Sequence, residues 1–390
     1  MKVLISGAGI AGLTLAYWLH KSGHTPVVIE KAHDLRTNGY MIDFAGSGCD
    51  VANRMGLIPA LRAASHPLTA LEYKDGKGQT TARISFDKFF RIFNITDQFF
   101  ALDRRDLVDI LFQAVRSQVD IRFGQQVSTV RQSPDNVSVT FSDGSEESFD
   151  LLVGADGIHS HVRDLTFGPE NLFTKYLGYY VAAFYVSPDK PYDDPGYAIH
   201  VEPNVQFGVF PLPDKRWLAI TIYKNSDEGH IPHEQRLGVL KSRLQNVGWI
   251  TRDVLDMLPP DADIFMDTVT QVQMPMWRLN RVVLIGDAAH CPTLISGQGA
   301  SLAMAGAYFL AEELNRQGDL ATALAAYETR LRPHVEKVQA KARNFAPTFV
   351  PNNQLRITLT NWAIRLMDVP PVTKLVGKQL SLESIIPAAS

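Results

Sequence analysis

Three short stretches of this 390-residue chain carry residue types suited to holding a phosphate-rich ligand. The first is Gly7-Ala8-Gly9-Ile10-Ala11-Gly12, directly after the apolar run Val3-Leu4-Ile5. Gly7 permits a tight turn, Gly9 lets backbone approach a pyrophosphate, and Gly12 lets a helix pack against its strand. The free N–H groups of that helix start then face the phosphates. Glu30 follows 18 residues after Gly12, at the end of a second apolar run, where an acid accepts from ribose hydroxyls. Lys31 beside it and Ala11 in the turn complete this candidate set. The second stretch is Gly154-Ala155-Asp156-Gly157, after Leu151-Leu152-Val153. The third is Gly286-Asp287-Ala288-Ala289-His290, then Pro292 and Gly297-Gln298-Gly299. The first stretch alone leaves FAD and NAD equally open.

Elements that position these stretches are readable from periodicity. Lys2–Ser6, a helix over Leu13–Lys21 and Pro26–Glu30 form a βαβ unit that opens a parallel sheet. Leu107, Ile110 and Leu111 line one face of a helix over Asp103–Gln113, with Asp103 as N-cap. Successive runs over 178–224 read as antiparallel strands in a separate layer. Residues 234–258 read as helical, Thr268–Met274 as a returning strand, and Gln298–Leu314 and about Leu320–Ala342 as long helices. The predicted fold class is α/β, α+β overall: a Rossmann-like domain with an inserted antiparallel sheet and a C-terminal helix. Residues 1–70, 101–175 and 271–335 are assigned to the first domain. Residues 71–100 and 176–270 form the inserted one, and 336–390 a helical tail.

Composition narrows the classes further. With 38 basic and 41 acidic residues, the net charge of −3 offers nucleic acid no basic surface. Two cysteines, Cys49 and Cys291, make neither a disulfide framework nor a thiolate metal site. No apolar run is long enough to span a bilayer. The first strand begins at the third residue, so no signal peptide is expected and the predicted location is cytoplasmic. His290, next to the third stretch, is read as packing. No basic partner argues for a reactive Cys291, and no Ser-His-Asp assembly is built from His159, Ser160 and His161.

Taken together the motifs resemble the class A flavoprotein monooxygenases, the group of para-hydroxybenzoate hydroxylase. Gly154, Asp156, Gly157, Ser160 and Arg163 match the Asp-Gly fingerprint of that family, and Gly286 and Asp287 its Gly-Asp fingerprint. The resemblance implies FAD as cofactor, with Asp287 on its ribityl chain and Pro292, Gly297, Gln298 and Gly299 beside its ring. Arg104, in Arg104-Arg105-Asp106-Leu107, matches the arginine of an Arg-x-x-Leu helix start that contacts FAD. Arg36 and Asp43 stand where relatives carry an arginine and an acid near the flavin or the incoming nicotinamide cofactor. Ser301 replaces an asparagine common in relatives. The resemblance covers residues 2 to about 335. In length, in the Tyr40–Phe44 loop and in its helical tail the chain looks most similar to the tetracycline-inactivating branch.

The activity so implied is oxygen insertion from a flavin C4a-hydroperoxide, with NAD(P)H as transient reductant and O2 as co-substrate. The expected substrate is an aromatic or polycyclic small molecule, a tetracycline-type antibiotic among the candidates, handled by a monomer or homodimer. No side chain is assigned as catalytic and no metal is expected, because the flavin carries the chemistry. Tyr180, Phe184, Phe207 and Phe210 of the inserted sheet are the candidate pocket walls. Two other readings stay open: a flavoprotein reductase or dehydrogenase without oxygen insertion, and a non-catalytic FAD-binding protein.

Overall fold

The computed structural model describes residues 1–35, 40–86, 98–188, 197–212, 214–366 and 384–387. The strands in chain order are β1 (Lys2–Ser6), β2 (Thr25–Glu30), β3 (Met41–Ala45), β4 (Ala70–Lys74), β5 (Thr80–Ser85) and β6 (Phe99–Asp103). Next come β7 (Asp120–Phe123), β8 (Val127–Gln132), β9 (Val137–Phe141), β10 (Glu146–Phe149), β11 (Leu151–Gly154) and β12 (Thr174–Val186). Last are β13 (Tyr197–Glu202), β14 (Val205–Pro211), β15 (Trp217–Lys224), β16 (Phe265–Val272), β17 (Arg278–Leu279) and β18 (Val282–Leu284). The helices are α1 (Ile10–Lys21), α2 (Ser47–Arg54), α3 (Ile58–Ala64), α4 (Arg104–Val115), α5 (His161–Thr166) and α6 (His233–Leu244). They continue with α7 (Thr251–Asp256), α8 (Asp287–His290), α9 (Gly299–Arg316), α10 (Leu320–Phe349) and α11 (Gln354–Leu366).

The first sheet has the order β17-β18-β11-β1-β2-β7, parallel except at the β17 edge. Val3, Leu4 and Ile5 of central β1 are fully buried, as a strand covered on both faces requires. This topology decides where chemistry happens. The three glycine stretches follow β1, β11 and β18, which are neighbours running in one direction. All three therefore emerge at the same sheet edge, where ligands of open α/β sheets bind.

The second sheet has the order β16-β12-β15-β14-β13-β4-β5. The expected antiparallel sheet is in fact mixed, because β13 pairs with β4 in parallel register. The two strands are separated by more than a hundred residues of chain, ample for the crossover that parallel pairing needs. One face packs under α6 and α7 through Leu240, Leu244, Val254 and Leu255. Where one helix was read over 234–258, the structure has two, broken around the positive φ of Trp249.

Two linking features carry site residues. β3 and β6 form an antiparallel ribbon that delivers Asp43 and, at its end, Arg104. α10 is 30 residues long and runs past the predicted boundary near 342, tolerating Pro347 in its last turns. α11, with Ile357 and Ile364 buried, docks on β5, Asn361 donating to Thr81 Oγ1 at 3.2 Å and Arg365 to the Thr81 carbonyl at 2.6 Å. The final described residues return to α2, where the Ile385 N–H donates to Ser47 Oγ and Ile386 is buried.

Candidate functional site

The first glycine turn is shaped by steric necessity at two positions and by cleared space at a third. Gly7 has φ +112°, and a Cβ there would stand 2.5 Å from the Ala155 carbonyl oxygen. A Cβ on Gly12 would stand 2.0 Å from the Gly7 carbonyl oxygen. Gly9 differs: a Cβ there meets nothing within 4 Å. Its bareness relieves no protein contact and instead leaves room in front of α1. That helix starts without a side-chain cap and without an acid in its first turn. Its exposed positive end is what a pyrophosphate requires. Glu30 accepts from the backbone N–H groups of Ala8 and Ala32, both at 3.1 Å. Those bonds hold the carboxylate at the turn while lone pairs remain for further donors.

The second stretch builds the opposite wall. The Asp156 carboxylate accepts from Ser160 Oγ and from the Val162 N–H at 3.0 Å. Burial pushes its pKa up and these bonds oppose the shift. Ser160 caps α5 by accepting from the Arg163 N–H. Arg163 is wholly buried, yet its guanidinium donates to the carbonyls of Ile158 and Ala288 and to Glu170. His159 sits between Asp267 and Glu170, which push its pKa up to about 10. Glu30, Lys31, Arg104, Asp156 and Gly157 line one cleft with the first glycine turn.

The third stretch closes the site at its deep end. Gly286 adopts φ +60°, and a Cβ there would press on Ala11 at 2.9 Å, so the first and third turns touch. Burial raises the Asp287 pKa, opposed by the Arg104 guanidinium and by a hydrogen bond from the Cys291 thiol. Arg104 thus lies beside Asp287 at the start of α4, an unfavourable helix end for a cation. Tyr40 shares that neighbourhood, and burial pushes its phenol up to about 12. Burial also raises the Cys291 thiol well above its ordinary value, which keeps it un-ionised. His290 is buried against Trp277, and burial lowers it to about 3, in line with a packing role.

After Pro292 the chain bends sharply. Thr293 has φ +90° and ψ 151°, a region that essentially only glycine occupies, at a cost of about 1–3 kcal/mol. Gly297 follows with φ +62° and open space around it. α9 then begins at Gly299 with Gln298 as an N-cap that makes no side-chain bond, and with no acid in the first turn. It is a second uncapped positive helix end at the same edge as α1. Ser301 donates to the Ala45 carbonyl at 2.7 Å, tying α9 to β3.

Not all predicted site residues gather here. Arg36 lies outside the described residues. Asp43 is exposed on β3, and the protein packed around its carboxyl pushes its pKa up to about 6. It lies close enough to Tyr197 of β13 to raise that phenol further. Among the four predicted pocket walls, Tyr180, Phe184 and Phe207 are corrected: they are almost wholly buried in the layer under α6 and α7. Strand alternation puts Phe210 on the other face, where its ring lies 3.8 Å from that of Tyr197. Register adds Leu71, Tyr73, Ile199 and Ile220 to this face.

Sequence reasoning missed Tyr197, Gln271 and Gln339. Gln339 had a readable signal, since it interrupts the buried stripe Leu331, Val335, Ala342 and Ala346 with a polar side chain. Among the described residues no cluster of three or more His, Cys, Asp or Glu could hold a metal ion, and no helix is long and apolar enough to cross a membrane.

The family model described as FAD binding domain matches residues 1–342. A flavin-dependent monooxygenase from an unknown prokaryotic organism is 34% identical over 345 residues, covering 87% of each chain. The crystal structure of the tetracycline destructase Tet(55) superposes with a TM-score of 0.84 at 28% identity, covering 99% of this chain and 98% of that one. Klebsiella pneumoniae HpxO, crystallised with FAD and uric acid, shares the fold with a TM-score of 0.80 at 22% identity, covering 97% of each chain.

Proposed function

We propose, for a chain that belongs to the FAD-dependent monooxygenase family, that it hydroxylates an aromatic or polycyclic small molecule at the expense of NAD(P)H and O2. One observation carries this reading. Three glycine turns after three adjacent parallel strands meet at one edge, with two uncapped helix starts and an arginine facing them. Only a long, phosphate-bearing ligand uses all of these at once.

In this reading Gly7, Gly9, Ala11 and Gly12 present α1 to the pyrophosphate of FAD, and Glu30 and Lys31 flank the ribose. Arg104 and Asp287 hold the middle of the cofactor, with Asp156 and Gly157 as the opposite wall. Pro292, Gly297, Gln298 and Gly299 lead α9 to its ring end, where a positive helix terminus suits negative charge. When bound, FAD supplies the redox chemistry that activates dioxygen. The protein's own work is to bind, orient and keep water out.

The substrate is assigned to the region where Asp43 of β3 approaches Tyr197 and Phe210 of the second sheet. Phe210 and Tyr197, their rings inclined at 65°, offer an aromatic corner, and Asp43 an acceptor for a substrate hydroxyl. This combination fits an electron-rich ring system bearing hydroxyl groups. Tetracyclines belong to that class, and a relative by structure is named as a destructase of them. Purified protein should be yellow. Supplied with NADPH and a panel of phenols, tetracyclines and rifamycins, it should yield a product heavier by one oxygen. A protein that cannot take up FAD would sink the reading. FAD reduction without oxygenated product across that panel would favour a reductase.

A further inference from the structure

We propose that two buried amides, Gln271 of β16 and Gln339 of α10, are positioning residues that set the loop beside the flavin ring, an inference that rests on the functional reading above. Gln339 lies 5% exposed in the middle of α10. Its Nε2 donates to the carbonyl of Val272 at 2.7 Å, to that of Cys291 at 3.2 Å and to that of His290 at 3.4 Å. Gln271, fully buried, donates to the carbonyl of Pro292 at 3.1 Å and to the Gln339 carbonyl at 2.9 Å. Its Oε1 accepts from Arg343 at 2.9 Å and from Gln273 at 3.0 Å. The amide of Gln271 is thereby used at both ends, which fixes its orientation. The Val272 N–H adds a further bond to the Cys291 carbonyl at 3.1 Å.

Three successive carbonyls, those of His290, Cys291 and Pro292, are therefore drawn toward β16 and α10. The chain must then reverse within one residue to reach α9, and that residue is Thr293 at φ +90°. A threonine holds such a conformation only where its surroundings over-determine it, and the amide pair is the part of the surroundings that grips the preceding backbone. The Thr293 hydroxyl is buried and has no hydrogen-bond partner among the described residues, so side-chain bonding does not compensate. Neither amide touches the cofactor cleft lined by the first two turns. Their influence should fall on the ring end of FAD and leave the adenosine end alone.

This asymmetry provides the test. Gln339→Leu and Gln271→Leu keep approximate size and remove the donors, leaving buried carbonyls short of a partner. Dissociation constants for FAD and for ADP would be measured on deflavinated full-length protein, with the visible spectrum of bound FAD recorded for each variant. The expected result is FAD binding weakened about tenfold, ADP binding changed less than about twofold, and a shifted visible band. Gln339→Met, which keeps length and has no donor, should match Gln339→Leu. Equal weakening of FAD and ADP would overturn the proposal, as would a folded variant with wild-type affinity and spectrum. Loss of folding in all three variants would assign the pair to stability alone and overturn it too. Wild-type protein that bound ADP but not FAD would fail before any substitution is made, and would strike the functional reading itself.

Discussion

The buried guanidinium of Arg163 donates through Nη1 to the carbonyl oxygen of Ala288 at 3.1 Å. The second glycine stretch is thereby fixed to the third by one side chain, across strands β11 and β18. Replacing Arg163 by methionine leaves the carbonyls of Ile158 and Ala288 without that donor. The expected cost is about 3 kcal/mol of unfolding free energy, read by urea denaturation of the FAD-bound protein. A loss below about 1 kcal/mol would show that the two stretches hold together without it.

His159 makes alkaline stability a second check. Hydrogen bonds to Asp267 and then Glu170 raise its pKa from 6.5 to about 10. A folded-state pKa above the unfolded one stabilises fully below pH 6.5 and is lost as pH rises through about 10. Thermal melts of wild-type protein should therefore fall between pH 7 and pH 10 more steeply than those of His159→Gln. Parallel profiles would remove the ion pairs from the stability of the site.

His290 works in the opposite direction. Burial lowers its pKa to about 3, and both ring nitrogens are buried without a partner among the described residues. The unfolded chain takes up a proton below pH 6.5 that the folded chain refuses, so stability is lost as pH falls from 6.5 toward 3. For one such group the loss is about 2 kcal/mol at pH 5 relative to pH 8. His290→Phe should lose correspondingly less over that interval in denaturant titrations. An unchanged pH slope would mean that His290 titrates alike in the folded and the unfolded chain.

Asp43 should expose a conflict between stability and activity. Burial raises its carboxyl to about 6, so its ionisation opposes folding as pH rises from the unfolded value through 6. Asp43→Asn is expected to melt higher than wild type at pH 8. The same substitution should lower kcat/KM, because the anion is the assigned acceptor for a substrate hydroxyl. In the wild type kcat/KM should rise as pH climbs through about 6, and the variant should lack that step. A variant equal to wild type in both respects would take Asp43 out of the site.

Local chemistry was the most legible part of the sequence. Gly7, Gly12 and Gly286 were readable because each occupies a position where a Cβ would collide. Asp103 was readable as an N-cap, and it does accept from the Arg105 N–H at 2.9 Å. Which face of the second sheet α6 and α7 cover was not readable. Alternation separates Phe207 from Phe210, but only the docking of α6 and α7, formed by residues far along the chain, decides which set is covered. The parallel pairing of β13 with β4 was hidden for a related reason, since it depends on a long-range crossover that leaves no local pattern. Gln271 and Gln339 were overlooked because their partners are backbone carbonyls, which carry no residue signature. Their signal was a polar side chain in an apolar stripe.

The most direct measurement is turnover in isotopically heavy dioxygen, with NADPH and FAD-bound protein, followed by mass analysis of the recovered aromatic or polycyclic substrate. The predicted result is a product heavier by one heavy oxygen atom, formed in step with NADPH consumption. NADPH oxidised with the substrate recovered unchanged, or a product carrying oxygen from water alone, would contradict it.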